Sequence, residues 1–331
     1  MDWTLPGQGP QTEAPPPPVA PEAPTSPPAF TPAEAPSRSA AAGAARPQPR
    51  PWRRRVAQAA AWLTALYLVS LATLWWWQEQ VLFLPQPLAA DHRYGLGADV
   101  HETWVDVPGA RLNALHLRLA QPDGVVFFLH GNGGNLASWF VGLDLYRRLN
   151  MDLVMFDYRG YGKSSGRISS QAQLSADVRA AWQAVAPRYR GLKRVVYGRS
   201  LGTALAAELA ADIQPELTVL VSPYESMRAL AALHYPWVPG AALRYPLPTD
   251  EWLPQVHNAV LLVHGEQDSL VPASHSRRLQ SLVPQARLLL LPGVGHGDVH
   301  QSRSYLDGVS RAIRDLPGPA DETETSTEAD D

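Results

Sequence analysis

Gly198-Arg199-Ser200-Leu201-Gly202 stands between a short apolar run, Leu192 to Tyr197, and an Ala/Leu-rich segment, Thr203 to Ala211. That succession fits a strand turning sharply into a helix. Such a turn can hold a serine hydroxyl exposed on a strained backbone. Glycines two positions either side are then required, because a Cβ there would strike the neighbouring strand and helix. A serine hydroxyl is nevertheless a poor nucleophile near neutral pH. It needs a histidine to take its proton and an acid to hold the imidazole in the right tautomer. Both follow downstream in the order Ser, Asp, His. Asp268 lies in His264-Gly265-Glu266-Gln267-Asp268, just past an apolar run ending at Val263, and His296 lies in Gly293-Val294-Gly295-His296-Gly297, just past one ending at Leu291. Ser200, Asp268 and His296 are therefore the expected nucleophile, orienting acid and general base. All three sit where open α/β sheets bind ligands, beyond the carboxyl ends of their strands.

An oxyanion developing on an acyl group also needs donors. His130-Gly131-Asn132-Gly133-Gly134-Asn135 follows the apolar run Val125 to Leu129. Its glycines free the backbone to turn N–H groups inward, so the backbone N–H of Asn132, with that of Leu201 beside the nucleophile, is the expected oxyanion hole. An ordinary Gly/Asn turn is the competing reading of that stretch.

The pattern around these motifs alternates. Val100 to Val107 and Arg111 to Leu119 read as early strands about the turn Pro108-Gly109. Further strands are expected at Val125 to Leu129, Asp152 to Phe156, around Val195, at Leu217 to Val221, Ala259 to Val263 and Ala286 to Leu291. Helices are expected at Leu136 to Leu149, Gln171 to Ala186, after Ser200, at Ser274 to Leu282 and at Val299 to Arg314. Strands that alternate with helices imply an α/β fold with a mostly parallel sheet flanked by helices.

The amino-terminal part is different. Of 32 prolines in the 331 residues, 14 fall in the first 50, among Ala, Ser, Gln and Glu. Residues 1–50 are accordingly expected to be a disordered Pro/Ala-rich tail, since they cannot bury enough apolar surface to offset chain entropy. From Val56 to Trp77 no charge occurs. As a helix this stretch would be about 33 Å long, enough to cross a bilayer core. Arg50, Arg53, Arg54 and Arg55 precede it, Glu79 is the first charge after it, and Trp75, Trp76 and Trp77 would lie at an interface. A transmembrane helix over 56–77 is the expectation, with the amino terminus cytoplasmic and the remainder on the outer side. A cleaved signal peptide would need a small-residue cleavage site, and a buried core helix would leave the arginines unexplained. Residues 78–315 form the expected folded domain, and residues 316–331 an acidic disordered tail.

A net charge of -3 argues against a nucleic-acid partner. The chain has no cysteine, which excludes disulfides and thiolate chemistry. Gly162-Lys163-Ser164 ends like a phosphate loop, but Asp157 stands five residues earlier where a glycine is needed. His296, Asp298 and His300 lack a further ligand cluster for a metal. His130 and His264 each precede a glycine at a strand end and read as structural, and Ser222 precedes Pro223, which gives it no elbow. No cofactor and no metal is expected.

With elbow, acid, histidine and glycine loop in this order, the chain resembles the α/β-hydrolase superfamily. More narrowly, Asp157-Tyr-Arg-Gly-Tyr-Gly162-Lys-Ser-Ser165-Gly166, Ser222-Pro-Tyr-Glu-Ser226-Met, His264-Gly-Glu-Gln-Asp268-Ser-Leu-Val-Pro272 and Gln80-Val-Leu-Phe-Leu-Pro85 are similar to the membrane-anchored abhydrolase-domain serine hydrolases. That group includes eukaryotic depalmitoylases and a fungal bud-emergence protein. The resemblance spans residues 78 to 315. It implies a membrane-anchored serine hydrolase of acyl esters or thioesters, acting on a small or lipid-like acyl substrate through an acyl-serine intermediate. The triad positions of the group fall on Ser200, Asp268 and His296. It leaves the substrate and any protein partner open. Two alternatives stand beside it: a serine peptidase of the proline-iminopeptidase type, and a non-catalytic membrane-tethered binding module. Residues 226–254, with Tyr235-Pro-Trp237-Val-Pro239 and Leu243-Arg-Tyr245-Pro-Leu247-Pro, read as a cap shaping an apolar acyl pocket or as a packed insertion.

Overall fold

Continuous apolar runs belong in strands covered on both faces, and the central strands meet that condition. In the computed structural model, which describes residues 51–317, eight strands form one sheet: β1 (Val100–Val107), β2 (Ala110–Leu117), β3 (Gly124–Leu129), β4 (Met151–Phe156), β5 (Lys193–Arg199), β6 (Leu217–Val221), β7 (Ala259–Gly265) and β8 (Ala286–Leu291). Their spatial order is β8-β7-β6-β5-β3-β4-β2-β1. β1 pairs antiparallel with β2, and β2 antiparallel with β4. Every other pairing is parallel. Every residue of β3, β4 and β6 is buried.

Alternation along β3 separates two cores. Val125, Phe127 and Leu129 face one cluster, with Leu174 and Trp182 of α5 (Gln171–Val185), Leu205 of α6 (Gly202–Ile213) and Leu279 of α9 (Ser274–Leu282). Val126 and Phe128 face the other, with Leu136 of α3 (Leu136–Trp139), Tyr146 of α4 (Leu143–Arg148) and Ile313 of α10 (Arg303–Arg314). Helices thus cover both faces of the sheet.

Two expected helices are shorter than the sequence pattern suggested. The stretch 136–149 breaks between Phe140 and Gly142, because Gly142 takes φ +69°. The last helix starts at Arg303, where the Ser302 hydroxyl caps it by accepting from the Tyr305 N–H, and Val299–Gln301 forms a separate 3-10 turn. Between β7 and the strand before it lie α7 (Met227–His234) and α8 (Thr249–Trp252).

The chain divides into residues 1–55 and residues 56–331. The Pro/Ala-rich stretch 1–50 lies outside the described residues, as do residues 318–331 of the acidic stretch. The described part of the first unit, residues 51–55, is helical and opens α1 (Pro51–Trp76). This is the one helix among the described residues that is long and apolar enough to cross a membrane. None of its residues is buried. It is followed by α2 (Gln78–Leu82).

Candidate active site

Four parallel strands deliver the site at their carboxyl ends. Ser200 follows β5 and takes φ +51°, a left-handed conformation that costs a non-glycine residue about 1–3 kcal/mol. The turn is held by backbone: the Ser200 N–H donates to the Val221 carbonyl at 2.9 Å, and the Ser200 carbonyl accepts from the Thr203 N–H at 2.9 Å and from its hydroxyl at 2.6 Å. Both flanking glycines are obligatory. A Cβ on Gly198 would come within 2.6 Å of the Gly202 carbonyl oxygen, and one on Gly202 would fall on the Leu129 carbonyl.

His296, in the loop after β8, bridges the other two groups. Its Nε2 stands 3.0 Å from Ser200 Oγ and its Nδ1 2.6 Å from Asp268 Oδ2. With Nδ1–H donating to the carboxylate, Nε2 is left to accept from the hydroxyl. Asp268, after β7, is buried. Its Oδ1 accepts from the backbone N–H groups of Leu270 at 3.0 Å and Val271 at 2.8 Å. Burial alone would push this carboxyl up. Hydrogen bonds from His264, from His296 and from the Val271 N–H outweigh it and hold the group well below the usual carboxylate range.

The glycine loop is braced from two directions. The Asn132 carbonyl accepts from the Leu84 N–H at 2.9 Å and from the Tyr161 hydroxyl at 2.6 Å, while the His130 carbonyl accepts from the Tyr158 hydroxyl at 2.9 Å. Leu84–Pro85 also pairs as a short parallel strand with Gly133–Gly134. The segment leaving the apolar helix is thereby stitched to the loop. Among the described residues, neither the Asn132 N–H nor the Leu201 N–H has a backbone acceptor.

Several supporting residues were invisible as such in the sequence. Arg199, the variable position of the elbow, is buried and donates to the His296 carbonyl and, at 3.4 Å, to that of Val221. His264, read as structural, lies beside the acid. Its Nε2–H donates to the Val271 carbonyl at 2.7 Å and stands 3.4 Å from Asp268 Oδ2, while Nδ1 accepts from Ser276 Oγ at 2.6 Å. Tyr158 and Tyr161 stood in plain view in the Asp157-to-Gly162 stretch, but their carbonyl targets are more than twenty residues away in sequence.

His130 and Asp157 form a buried pair beneath the glycine loop. His130 Nδ1–H donates to the Gly131 carbonyl at 2.8 Å, which leaves Nε2 unprotonated and 3.5 Å from Asp157 Oδ1. Burial pushes the histidine down to about 4 and the carboxyl up to about 7, the latter against a hydrogen bond from the Leu136 N–H. Among the described residues His130 Nε2 has no hydrogen-bond partner, while both Asp157 oxygens accept from the Leu136 N–H, at 3.0 and 3.2 Å.

The remaining motifs go elsewhere. Lys163 pairs with Glu102 at 2.5 Å, and His300 Nδ1 lies 3.1 Å from the Tyr305 hydroxyl. Ser222 is fully buried, at φ +51°, with its N–H on the Val263 carbonyl at 2.8 Å.

A sequence profile described as serine aminopeptidase, S33, matches residues 120–247. An uncharacterized protein of Mycobacterium tuberculosis is 36% identical over 194 residues, which cover 57% of this chain and 69% of that one. Alpha/beta hydrolase domain-containing protein 17C of Xenopus tropicalis is 30% identical over 232 residues, or 65% of this chain and 70% of the relative. The chain belongs to the α/β-hydrolase-domain family. As a member of that family it is a hydrolase. Its fold matches an esterase of Pyrococcus furiosus with a TM-score of 0.58 at 14% identity, covering 72% of this chain and 98% of that one. A predicted hydrolase of Thermoplasma acidophilum matches with a TM-score of 0.52 at 17% identity, covering 66% and 100%. At such identities the likeness is one of fold.

Proposed function

We propose that this α/β hydrolase is a membrane-anchored serine hydrolase that cleaves acyl esters or thioesters through an acyl-serine intermediate. One observation carries the reading: a single imidazole spans Ser200 Oγ at 3.0 Å and Asp268 Oδ2 at 2.6 Å, with the serine on a strained left-handed turn. Ser200 Oγ attacks the acyl carbon as its proton passes to His296 Nε2. Asp268 keeps Nδ1 protonated and stabilises the imidazolium. The Asn132 and Leu201 N–H groups hold the oxyanion. Collapse of the tetrahedral species expels the alkoxide or thiolate, which takes the proton from Nε2. Water then repeats the sequence on the acyl-serine, releasing the acid and restoring Ser200. No cofactor enters these steps.

The anchor is residues 56–77, with the arginines before it on the cytoplasmic side and the hydrolase domain on the outer side. A carboxyl-terminal reporter that works only outside the cytoplasm reads that orientation; an inactive reporter reverses it.

A peptidase reading is favoured by one finding, the serine aminopeptidase description of the matching profile. The full chain in detergent micelles, given p-nitrophenyl acyl esters, acyl thioesters and matched aminoacyl p-nitroanilides, separates the two. Ester and thioester turnover well above that of the anilides is expected. Anilide cleavage at equal or greater rate would replace the esterase reading with the peptidase one.

A further inference from the structure

The segment between α7 and α8 lies along the apolar helix, and its contacts can be followed from the wet end of that helix inward. At the wet end, Tyr245 is fully buried, edge-on to Phe83 at 5.1 Å, with its hydroxyl on Glu79 at 2.8 Å. Arg244 pairs with Glu79 at 2.8 Å and lies over the Trp75 ring at 4.9 Å. Gln78 receives the Arg244 N–H at 2.6 Å and donates to the Ala242 carbonyl at 3.0 Å. The last contact is far up the helix: the Tyr67 hydroxyl donates to the Trp237 carbonyl at 3.0 Å.

Tyr67 precedes the helix end at Trp76 by nine residues, or about 14 Å of helix. If residues 56–77 cross the bilayer, Trp237 cannot also be in water. Withdrawing the helix far enough to keep it there would leave Val56 to Leu66 in the lipid, about 16 Å, roughly half of the ~30 Å hydrocarbon core.

The segment has the composition that such a position demands. Residues 229–243 contain no Asp, Glu, Lys or Arg, whereas Arg228 and Arg244 stand at the two ends. Leu233, Tyr235 and Trp237 are about half exposed, at 53%, 54% and 49%. Backbone in lipid must satisfy its own donors, and here it largely does. Pro236 and Pro239 have no N–H. The N–H groups of Tyr235, Val238, Ala242 and Leu243 donate to the carbonyls of Ala231, Tyr235, Pro239 and Gly240. The one histidine, His234, spends its Nε2–H on the Leu270 carbonyl at 2.8 Å. That bond also ties the segment to the loop carrying Asp268.

We propose that residues 229–243 are immersed in the bilayer beside α1, so that the hydrolase domain sits on the membrane by an apolar cap as well as by its tether. The occupant of this surface is lipid, because the cap's depth is set by a contact with the helix that itself lies in lipid. The proposal rests on the reading of α1 as a span, and it sets the loop bearing the acid against the bilayer surface.

The absence of cysteine makes the test direct. Single cysteines at Leu233, Trp237, Leu66 and Gln183 are spin-labelled in the full chain, reconstituted in phosphatidylcholine vesicles, and compared for collision with oxygen, which enters lipid, and with a water-soluble nickel chelate. Leu66→Cys reports the span and Gln183→Cys, on the exposed side of α5, reports water. For Leu233→Cys and Trp237→Cys the oxygen-to-nickel ratio is expected to match that of Leu66→Cys and to exceed that of Gln183→Cys several-fold. A lipid-like ratio at 66 with water-like ratios at 233 and 237 overturns the immersion and leaves the span intact. Water-like ratios at 66 as well overturn both. Low collision with both probes at 233 and 237 overturns lipid as the occupant in favour of a protein contact.

Discussion

Replacing Ser200 by alanine is expected to lower kcat for acyl-ester hydrolysis by about 10⁶-fold while leaving the fold unchanged. The contacts that hold the elbow are made by backbone atoms and by Thr203: the Ser200 N–H on the Val221 carbonyl, and the Thr203 N–H and hydroxyl on the Ser200 carbonyl. All survive the substitution. Alanine at φ +51° is as strained as serine, so no strain is relieved. What disappears is Oγ, whose one hydrogen-bond partner among the described residues is His296 Nε2. Steady-state kinetics on the best ester of the series, beside a thermal unfolding scan of both proteins, checks the prediction. Wild-type turnover in the variant would place the chemistry on another group.

The second large effect is expected at the acid. Asp268→Asn should cost about 10⁴-fold in kcat, and the reason lies in which oxygen is already committed. Oδ1 accepts two backbone N–H groups, from Leu270 and Val271. An asparagine retains both by placing its carbonyl oxygen there, which turns its NH₂ group toward His296 Nδ1. That nitrogen must then accept, the imidazole proton moves to Nε2, and the ring can no longer take a proton from Ser200. Because the two groups act as a unit, Ser200→Ala/Asp268→Asn should be no slower than Ser200→Ala alone; an additive loss would mean the two residues act independently.

Stability carries a matching signature. The Asp268 carboxyl is depressed in the folded chain, so the folded state holds the ionised form more tightly than the unfolded one does. Its contribution is fully present above the unfolded pKa of about 3.9 and is lost as the pH falls below that value. Wild type and Asp268→Asn should therefore differ in stability near neutral pH and converge in acid. A difference that grows on acidification would reverse the sign.

How much of this was legible in the chain depended on how local the cause was. The strands could be read because β3, β4 and β6 are buried on both faces and leave continuous apolar runs. Ser200, Asp268 and His296, which the fold brings within hydrogen-bond reach of one imidazole, could be read as candidates because each follows such a run directly, as does the glycine loop. The break at Gly142 was hidden because the residues either side keep an apolar, helix-compatible pattern, and only the φ of +69° reveals the turn. Arg199 could not be assigned because its acceptor, the His296 carbonyl, is 97 residues distant. Most opaque was the segment 229–247. The sequence left Tyr245 open between lining a capped pocket and packing; its ring is buried against Phe83 and its hydroxyl serves Glu79, 166 positions away. Pairings at that separation leave no periodicity in the chain.

The most direct measurement is covalent. The full chain in phosphatidylcholine vesicles is treated with a fluorophosphonate, digested, and the adduct located by mass spectrometry. One stoichiometric adduct on Ser200, abolished by Ser200→Ala, is the predicted result. A folded protein that takes no adduct, or that carries it on Ser222 or another serine, would contradict the serine-hydrolase reading.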